Sequence, residues 1–134
     1  AKRVIKKETS DKMRFLLRLN AEVGTAKKAD VKGYYVGGKT GTAEKVINGR
    51  YAKKRVLNAF TAILPADNPQ YQLLVMLDEP QPLKETFGFI TSGWNAVPTG
   101  GKVIARIAPL LGVQPRFDLP PSDRLILAAS GATQ

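Results

Sequence analysis

Residues 37–43 read Gly-Gly-Lys-Thr-Gly-Thr-Ala, so one cation, two hydroxyls and three glycines fall within seven residues. Tyr34-Tyr35-Val36 before this segment favours an extended backbone, and Val46-Ile47 after it leads into Asn48-Gly49, a strong hairpin signal. A peptide that pairs with an edge strand gains main-chain hydrogen bonds, and the strand residue at closest approach must lack a side chain, as Gly41 does. The segment therefore predicts a functional site on a strand that enters a hairpin.

The motif Lys39-Thr40-Gly41 resembles the K-T-G motif of penicillin-binding proteins and class A β-lactamases. Residues 33–43 are similar to the longer G-Y-x-V-A-G-K-T-G-T-A run of class B penicillin-binding proteins, with Gly37 where that family usually has alanine. Further matches follow in the family's order: Gly24-Thr25, Pro65-Ala66 with Pro69, Asp78 with Pro80, and Gly93 with Ala96 and Pro98. The resemblance covers most of residues 4–114. It implies the C-terminal portion of a penicillin-binding, serine β-lactamase-like transpeptidase domain.

Two other motifs of the family, S-x-x-K and S-x-N, do not occur in this chain. Its nearest approach to the first, Thr9-Ser10-Asp11-Lys12, has threonine where the motif requires serine. The resemblance thus implies one wall of an active site whose nucleophile is absent. We expect the chain by itself to be inactive and to form no covalent adduct with penicillin.

The resemblance also assigns roles to the residues that match the motif. It implies the Thr42 N–H as an oxyanion donor, the Thr40 and Thr42 hydroxyls as contacts to a substrate carboxylate, and Gly41 as the place where the substrate backbone docks. Lys39 would supply positive potential and orient the missing S-x-N serine. These residues would bind the D-Ala-D-Ala end of a peptidoglycan stem peptide, or a β-lactam, without a metal or cofactor.

The parent protein implied by the resemblance is a serine-type D,D-transpeptidase of peptidoglycan biosynthesis and cell division. It would form an acyl-serine intermediate in a domain completed by the rest of the parent chain. It would also lie at the periplasmic face of the bacterial inner membrane, held there by an N-terminal anchor outside these 134 residues.

Two alternatives remain open from the sequence. Residues 33–40 also satisfy G-x-x-x-x-G-K-[ST], the phosphate-binding P-loop, although that loop requires a strand before its first glycine and a helix after its lysine. The second alternative is a non-catalytic module that binds a cell-wall polymer or a membrane surface through basic clusters, which contribute to a net charge of +10.

Composition excludes several kinds of chemistry. The absence of cysteine and histidine excludes thiol catalysis, Cys/His zinc sites and a Ser-His-Asp triad within this chain. The basic clusters lack interleaved aromatic residues, so nucleic acid is not an expected partner. No apolar run approaches the roughly 20 residues that span a bilayer.

The patterns predict an α+β fold in which an antiparallel sheet is flanked by helices. One helix begins at Thr9 or Ser10, buries a stripe of apolar residues and ends at Gly24. The second is capped by Thr99 and stopped by Gly112. The stripe of the first helix is expected to contain Met13, Leu16 and Leu17, widened by Phe15 and Leu19.

Strands are predicted at residues 33–47, 51–64 and 71–77, joined as an antiparallel meander. The apolar runs at 59–64 and 75–77 suggest strands covered on both faces.

Residues 78–93 are predicted as a loop at the rim of a cleft, with a possible strand at 87–90, and Trp94 as a core or rim anchor. The transpeptidase portion is assigned to 1–114 and a tail to 115–134, where Leu125-Ile126-Leu127 is a possible docking segment. Without the upstream part, one sheet edge and some apolar surface should be exposed.

Overall fold

A computed structural model of the protein describes residues 2–119 and residue 122. Its three strands form one antiparallel sheet in the order β1-β2-β3, which confirms the predicted α+β meander. Along the chain the elements are α1 (Lys7–Val23), β1 (Gly37–Ile47), β2 (Arg50–Leu64), β3 (Tyr71–Asp78) and α2 (Ala96–Leu110), with short 3-10 turns at Lys27–Ala29, Lys84–Thr86 and Ser92–Trp94.

Helix α1 ends at Gly24 as predicted but begins earlier than Thr9 or Ser10. Its N-cap is Lys6, which supplies no side-chain hydrogen bond. The first turn is instead supported by exposed ion pairs four residues apart, such as Lys7 with Asp11. The N-cap therefore lies three residues before Thr9 and four before Ser10, the residues that were expected to cap the helix.

The predicted apolar stripe of α1 is wrong at two positions. Met13 and Leu16 are about half exposed, at 49% and 52%. The Arg18 side chain is only 11% exposed, because its guanidinium binds Glu22 and Asp30 at 2.8 and 2.6 Å. A charged side chain satisfied in this way can lie against the fold. The helix is therefore rotated relative to the expectation from hydrophobicity alone.

The core lies between the sheet and α2. Phe60, Ala62 and Leu64 alternate on the buried face of β2, and they belong to the same buried cluster as Ile104 of α2. A Cβ added at Gly38 of β1 or Gly100 of α2 would lie 2.5 or 2.6 Å from the Phe60 ring. These two glycines are what allow β1 and α2 to approach that ring closely.

The opposite face of β3 is open within the described residues. Leu74 and Met76 are 58% and 54% exposed, while Leu73, Val75 and Leu77 pack against the core. The prediction that the apolar run at 75–77 is covered on both faces is therefore wrong, because its residues alternate between core and solvent. The expected exposure of some apolar surface is confirmed.

The segment leading into α2 also differs from the sequence prediction. Asn95, not Thr99, is the N-cap, and its side chain accepts a hydrogen bond from the Ala96 N–H over 2.6 Å. Residues 87–90 do not form a strand, because Phe87 and Gly88 adopt left-handed backbone angles with φ of 52° and 77°. Pro109 lies in the last turn of α2, which ends at Leu110.

Residues beyond α2 turn back onto the fold. The Arg116 N–H donates to the Gly33 carbonyl over 2.8 Å, and the Arg116 guanidinium pairs with Asp67 over 2.7 Å. The division into a domain of 1–114 and a tail of 115–134 stays a prediction, and Leu125-Ile126-Leu127 lies outside the described residues. No helix in the described part of the chain has the length and apolarity to cross a membrane.

Candidate functional site

The K-T-G motif lies in the first half of β1, which pairs only with β2 among the described strands. Thr40 is opposite Phe60 and Thr42 is opposite Asn58. Phe60 and Asn58 are both fully buried, so Thr40 and Thr42 lie on the core-facing side of the sheet. Lys39 and Gly41 alternate with them and lie on the other side.

An open cleft of about 280 Å³ adjoins this strand. Of the four residues that the sequence singles out, Thr40 and Thr42 line the cleft, whereas Lys39 and Gly41 do not. The end of the predicted rim loop does contribute to it. The full lining is Gly24, Thr25, Lys27, Lys28, Thr40, Thr42, Thr91, Ser92, Gly93 and Trp94.

The hydroxyls of Thr40 and Thr42 are each held by a neighbour. Thr40 Oγ1 lies 3.0 Å from Thr25 Oγ1, and Thr42 Oγ1 accepts a hydrogen bond from the Ser92 N–H over 3.1 Å. Ser92 is fixed in turn, since its hydroxyl donates to the Ala59 carbonyl over 2.7 Å. The Thr42 hydroxyl keeps its own hydrogen for donation to a ligand.

Lys39 and Gly41 are exposed on the other side of β1. The Lys39 ammonium donates to the Thr40 carbonyl over 2.6 Å, which uses one of its three N–H groups and leaves two. A Cβ added at Gly41 would lie 3.7 Å from the Ala59 Cβ, an ordinary contact. The fold itself therefore has room for a side chain at Gly41, unlike at Gly38.

Helix α1 fixes the start of β1 through two polar side chains. The Arg18 guanidinium donates to the Val36 carbonyl over 2.8 Å. The Asn20 amide donates to the Gly38 carbonyl over 2.7 Å, and its oxygen accepts from the Thr25 N–H over 3.1 Å. Asn20 thus ties the helix, the cleft residue Thr25 and the K-T-G strand together.

Trp94 lies at the rim of the cleft, in agreement with its interpretation as a core or rim anchor. The Lys28 ammonium is 3.3 Å from the centroid of its ring, close enough for a cation–π interaction. Phe89 stacks on the same ring at 5.1 Å with an interplanar angle of 13°. The cleft therefore has an aromatic and cationic margin opposite the two threonines.

The P-loop alternative does not fit this geometry. Lys39 and Thr40 lie within an eleven-residue strand, and the chain continues into a hairpin where a P-loop would begin a helix. Tyr35 and Val36 of the supposed loop are buried in the fold, so they could not leave its backbone free to surround a phosphate.

Comparison with known proteins identifies the family. The penicillin binding protein transpeptidase domain matches residues 1–93, and the chain belongs to this family. It is 44% identical over 127 residues to a probable peptidoglycan D,D-transpeptidase FtsI of Caulobacter vibrioides, covering 88% of this chain and 22% of that protein. It is also 41% identical over 115 residues to stage V sporulation protein D of Bacillus subtilis, covering 86% of this chain and 17% of the relative.

A solved structure shows the same fold. Penicillin-binding protein 3 of Mycobacterium tuberculosis, complexed with ampicillin, superimposes with a TM-score of 0.73 at 29% identity, covering 89% of this chain and 28% of the other. These similarities confirm the resemblance to class B penicillin-binding proteins. The chain spans about a fifth of the length of the curated relatives it matches.

Proposed function

We propose that this chain is one wall of the active site in a serine-type peptidoglycan D,D-transpeptidase. The observation that carries the proposal is the position of the K-T-G strand: beyond Gly38, which Asn20 binds, no second described strand pairs with its outer edge, and two of its hydroxyls line a cleft. The family and the names of its relatives agree with this assignment.

In the proposed complex, the D-Ala-D-Ala end of a stem peptide pairs with the free edge of β1 and passes over Gly41. The Thr40 and Thr42 hydroxyls bind the terminal carboxylate, and the Thr42 N–H donates to the developing oxyanion. The Lys39 ammonium, which lies on the other face of β1, adds positive potential across the edge of the strand. The reaction releases the last residue, and a neighbouring amine then accepts the acyl group.

The attacking serine and its S-x-x-K lysine would come from a part of the protein outside this sequence. β-Lactams would acylate the same serine. By analogy with the relatives, the full-length protein would act in cell-wall synthesis, with this domain on the periplasmic side of an inner membrane anchor.

The test is acylation of the full-length protein by a fluorescent penicillin. We expect Lys39→Ala to slow acylation at least tenfold through the loss of a charge near the reacting centre, the scale seen when one stabilising group is removed. Lys102→Ala is the matched control, because Lys102 is an exposed cation on α2. Equal rates for wild type and Lys39→Ala would overturn the role of this strand.

A second measurement tests the location of the nucleophile. The 134-residue chain alone is incubated with penicillin and its intact mass is determined. We expect no mass increase. A stoichiometric adduct would show that the nucleophile lies within the chain, contrary to the proposal.

A further inference from the structure

The hairpin formed by β1 and β2 is longer than β3. Pairing of β2 with β3 extends only over Leu57 to Leu64, whereas β1 and β2 remain paired as far as Ile47 and Arg50. Residues 44–55 therefore project beyond the three-stranded sheet as a two-stranded ribbon, which we call the hairpin arm.

The pairing register of the hairpin arm is irregular beside a run of three cations on β2. Glu44 pairs with Val56, but the next residue, Lys45, pairs with Ala52. Residues 53–55, which are Lys-Lys-Arg, consequently have no partner in β1 and bulge out of the ladder. All three are exposed.

The base of the arm is fastened by Glu79, just beyond β3. Its carboxylate pairs with Arg55 at 2.7 Å and with Lys45 at 2.9 Å, and its N–H donates to the Val56 carbonyl over 2.9 Å. The Arg55 and Lys45 side chains lower the pKa of Glu79 to about 2. These two cations therefore hold the arm in place, whereas Lys53 and Lys54 make no ion pair with residues 2–119 or 122.

The tip of the arm carries an exposed aromatic and aliphatic pair. Val46 and Tyr51 are opposite one another across the strands and are 61% and 73% exposed. Arg50, which directly precedes Tyr51 in the chain, is exposed as well. Tyrosine offers an apolar ring and a polar hydroxyl, a combination that suits binding surfaces.

We propose that the hairpin arm binds the carboxylates of peptidoglycan, with Lys53 and Lys54 as the binding cations. This inference rests on the proposed function, since it assigns a second contact to the same substrate. Strand β1 runs from Thr42 to the base of the arm at Lys45, three residues or about 10 Å away, and Lys45 pairs with Ala52 beside Lys53 and Lys54. A stem peptide or neighbouring strand docked at Gly41 would thus extend to the arm, where its free carboxylates meet Lys53 and Lys54.

The experiment measures sedimentation of the full-length protein with purified sacculi, either native or with their carboxylates converted to amides. We expect the double variant Lys53→Glu, Lys54→Glu to bind native sacculi at least tenfold more weakly than wild type. The control Lys102→Glu, Arg106→Glu makes the same charge change on exposed residues of α2 and should bind as wild type does. Wild type should bind amidated sacculi as weakly as the arm variant binds native sacculi.

Unchanged binding in the arm variant, or unchanged binding of wild type to amidated sacculi, would overturn the proposal. Tighter, Lys53- and Lys54-dependent binding to anionic phospholipid vesicles than to sacculi would also overturn it. The variant Lys53→Gln, Lys54→Gln removes the charges without adding acids and serves if the first variant does not fold. Penicillin acylation of the wild-type protein requires no sacculus and therefore separates the two proposals. If wild type is not acylated, the proposed transpeptidase function is wrong. If wild type is acylated but the arm variant binds sacculi as tightly as wild type, only the proposed role of the hairpin arm is wrong.

Discussion

The Ser92 N–H and Thr42 Oγ1 are joined by a hydrogen bond of 3.1 Å between residues 50 positions apart in the chain. The bond links the turn before α2 to the K-T-G strand. It also orients the Thr42 hydroxyl, because an oxygen that accepts from a backbone N–H directs its own hydrogen elsewhere. The cleft on that side is where we place the substrate carboxylate.

The first prediction concerns this hydroxyl. Thr42→Val keeps the shape of the side chain but removes the acceptor for Ser92 and the donor for a carboxylate. A hydrogen bond to a charged group contributes about 1.5–3 kcal/mol, so acylation of the full-length protein by penicillin should slow by about 10- to 100-fold. Thr42→Ser retains the hydroxyl and should acylate close to the wild-type rate. Slow acylation by both Thr42→Val and Thr42→Ser would contradict the role of the hydroxyl, because Thr42→Ser lacks only the methyl group.

The motif and the strands were predictable because their signals are local, except for the start of β1, which was predicted at residue 33 but lies at Gly37. Asn48-Gly49 specifies a hairpin within a few residues, and the K-T-G run is contiguous. The burial of Arg18 was not predictable in this way, since it depends on Asp30, twelve residues away, and on the Val36 carbonyl. Hydrophobic periodicity identified α1 as a helix but assigned Met13 and Leu16 to the wrong environment.

The composition of the cleft illustrates the same limit. In the sequence Gly24-Thr25 is only a dipeptide that matches the family, yet Thr25 contacts Thr40 directly. Asn20, Lys28 and Ser92 have no local signature, because each acts through a residue brought near by the tertiary fold. Sequence could locate the strand of the site and, through the rim loop at 78–93 and Trp94, part of the opposite wall. The contributions of Asn20 and Lys28 required the structure.

The second prediction compares two possible caps of α2. Asn95 caps the Ala96 N–H and also accepts from the buried Asn58 amide over 2.9 Å. Asn95→Ala should lower the free energy of unfolding by about 1–3 kcal/mol, from loss of the cap and of a buried acceptor. Thr99→Ala, at an exposed position in the helix, should change it by less than about 0.5 kcal/mol. Urea denaturation measures both, and a larger effect at Thr99 would reverse the assignment.

The third prediction is a pH dependence that arises from Glu79. Arg55 and Lys45 lower its pKa from the ordinary value of 4.5 to about 2. A carboxyl group with a depressed pKa in the folded state stabilises the fold above its unfolded pKa, and this contribution is lost as the pH falls. Glu79→Gln should therefore lower the Tm at pH 6, and its difference from wild type should shrink as the pH falls from about 4.5 to about 2.

Glu44 provides the control for that measurement. It lies in the hairpin arm, is exposed and pairs with no cation among the described residues. Glu44→Gln should follow the wild-type melting curve at every pH. A constant difference between Glu79→Gln and wild type from pH 6 to pH 2 would mean that the carboxylate charge contributes nothing.

The fourth prediction separates two glycines of β1. A Cβ at Gly38 would lie 2.5 Å from the Phe60 ring and 3.0 Å from the Thr61 carbonyl, and Phe60 is fully buried. Gly38→Ala should therefore destabilise the protein by about 1–3 kcal/mol, the usual cost of overpacking. Gly41→Ala should be close to neutral in the same urea titration. Equal stability of the two variants would contradict the tight packing of the Phe60 ring against β1.

The last prediction concerns Gly41 in catalysis. The fold accommodates a Cβ at this position 3.7 Å from Ala59, and valine suits a strand, so Gly41→Val should fold normally. The substrate backbone, however, would meet the new side chain as it pairs with β1. Misplacing the adjacent Thr42 N–H alone should cost about 3–4 kcal/mol, the typical contribution of an oxyanion donor. Penicillin acylation of the full-length protein should then fall by at least about 100-fold while its melting temperature stays near wild type. Val46→Ala, an exposed change farther along the same strand, is the control and should acylate normally. Wild-type acylation by a folded Gly41→Val protein would show that the substrate does not pass over this strand.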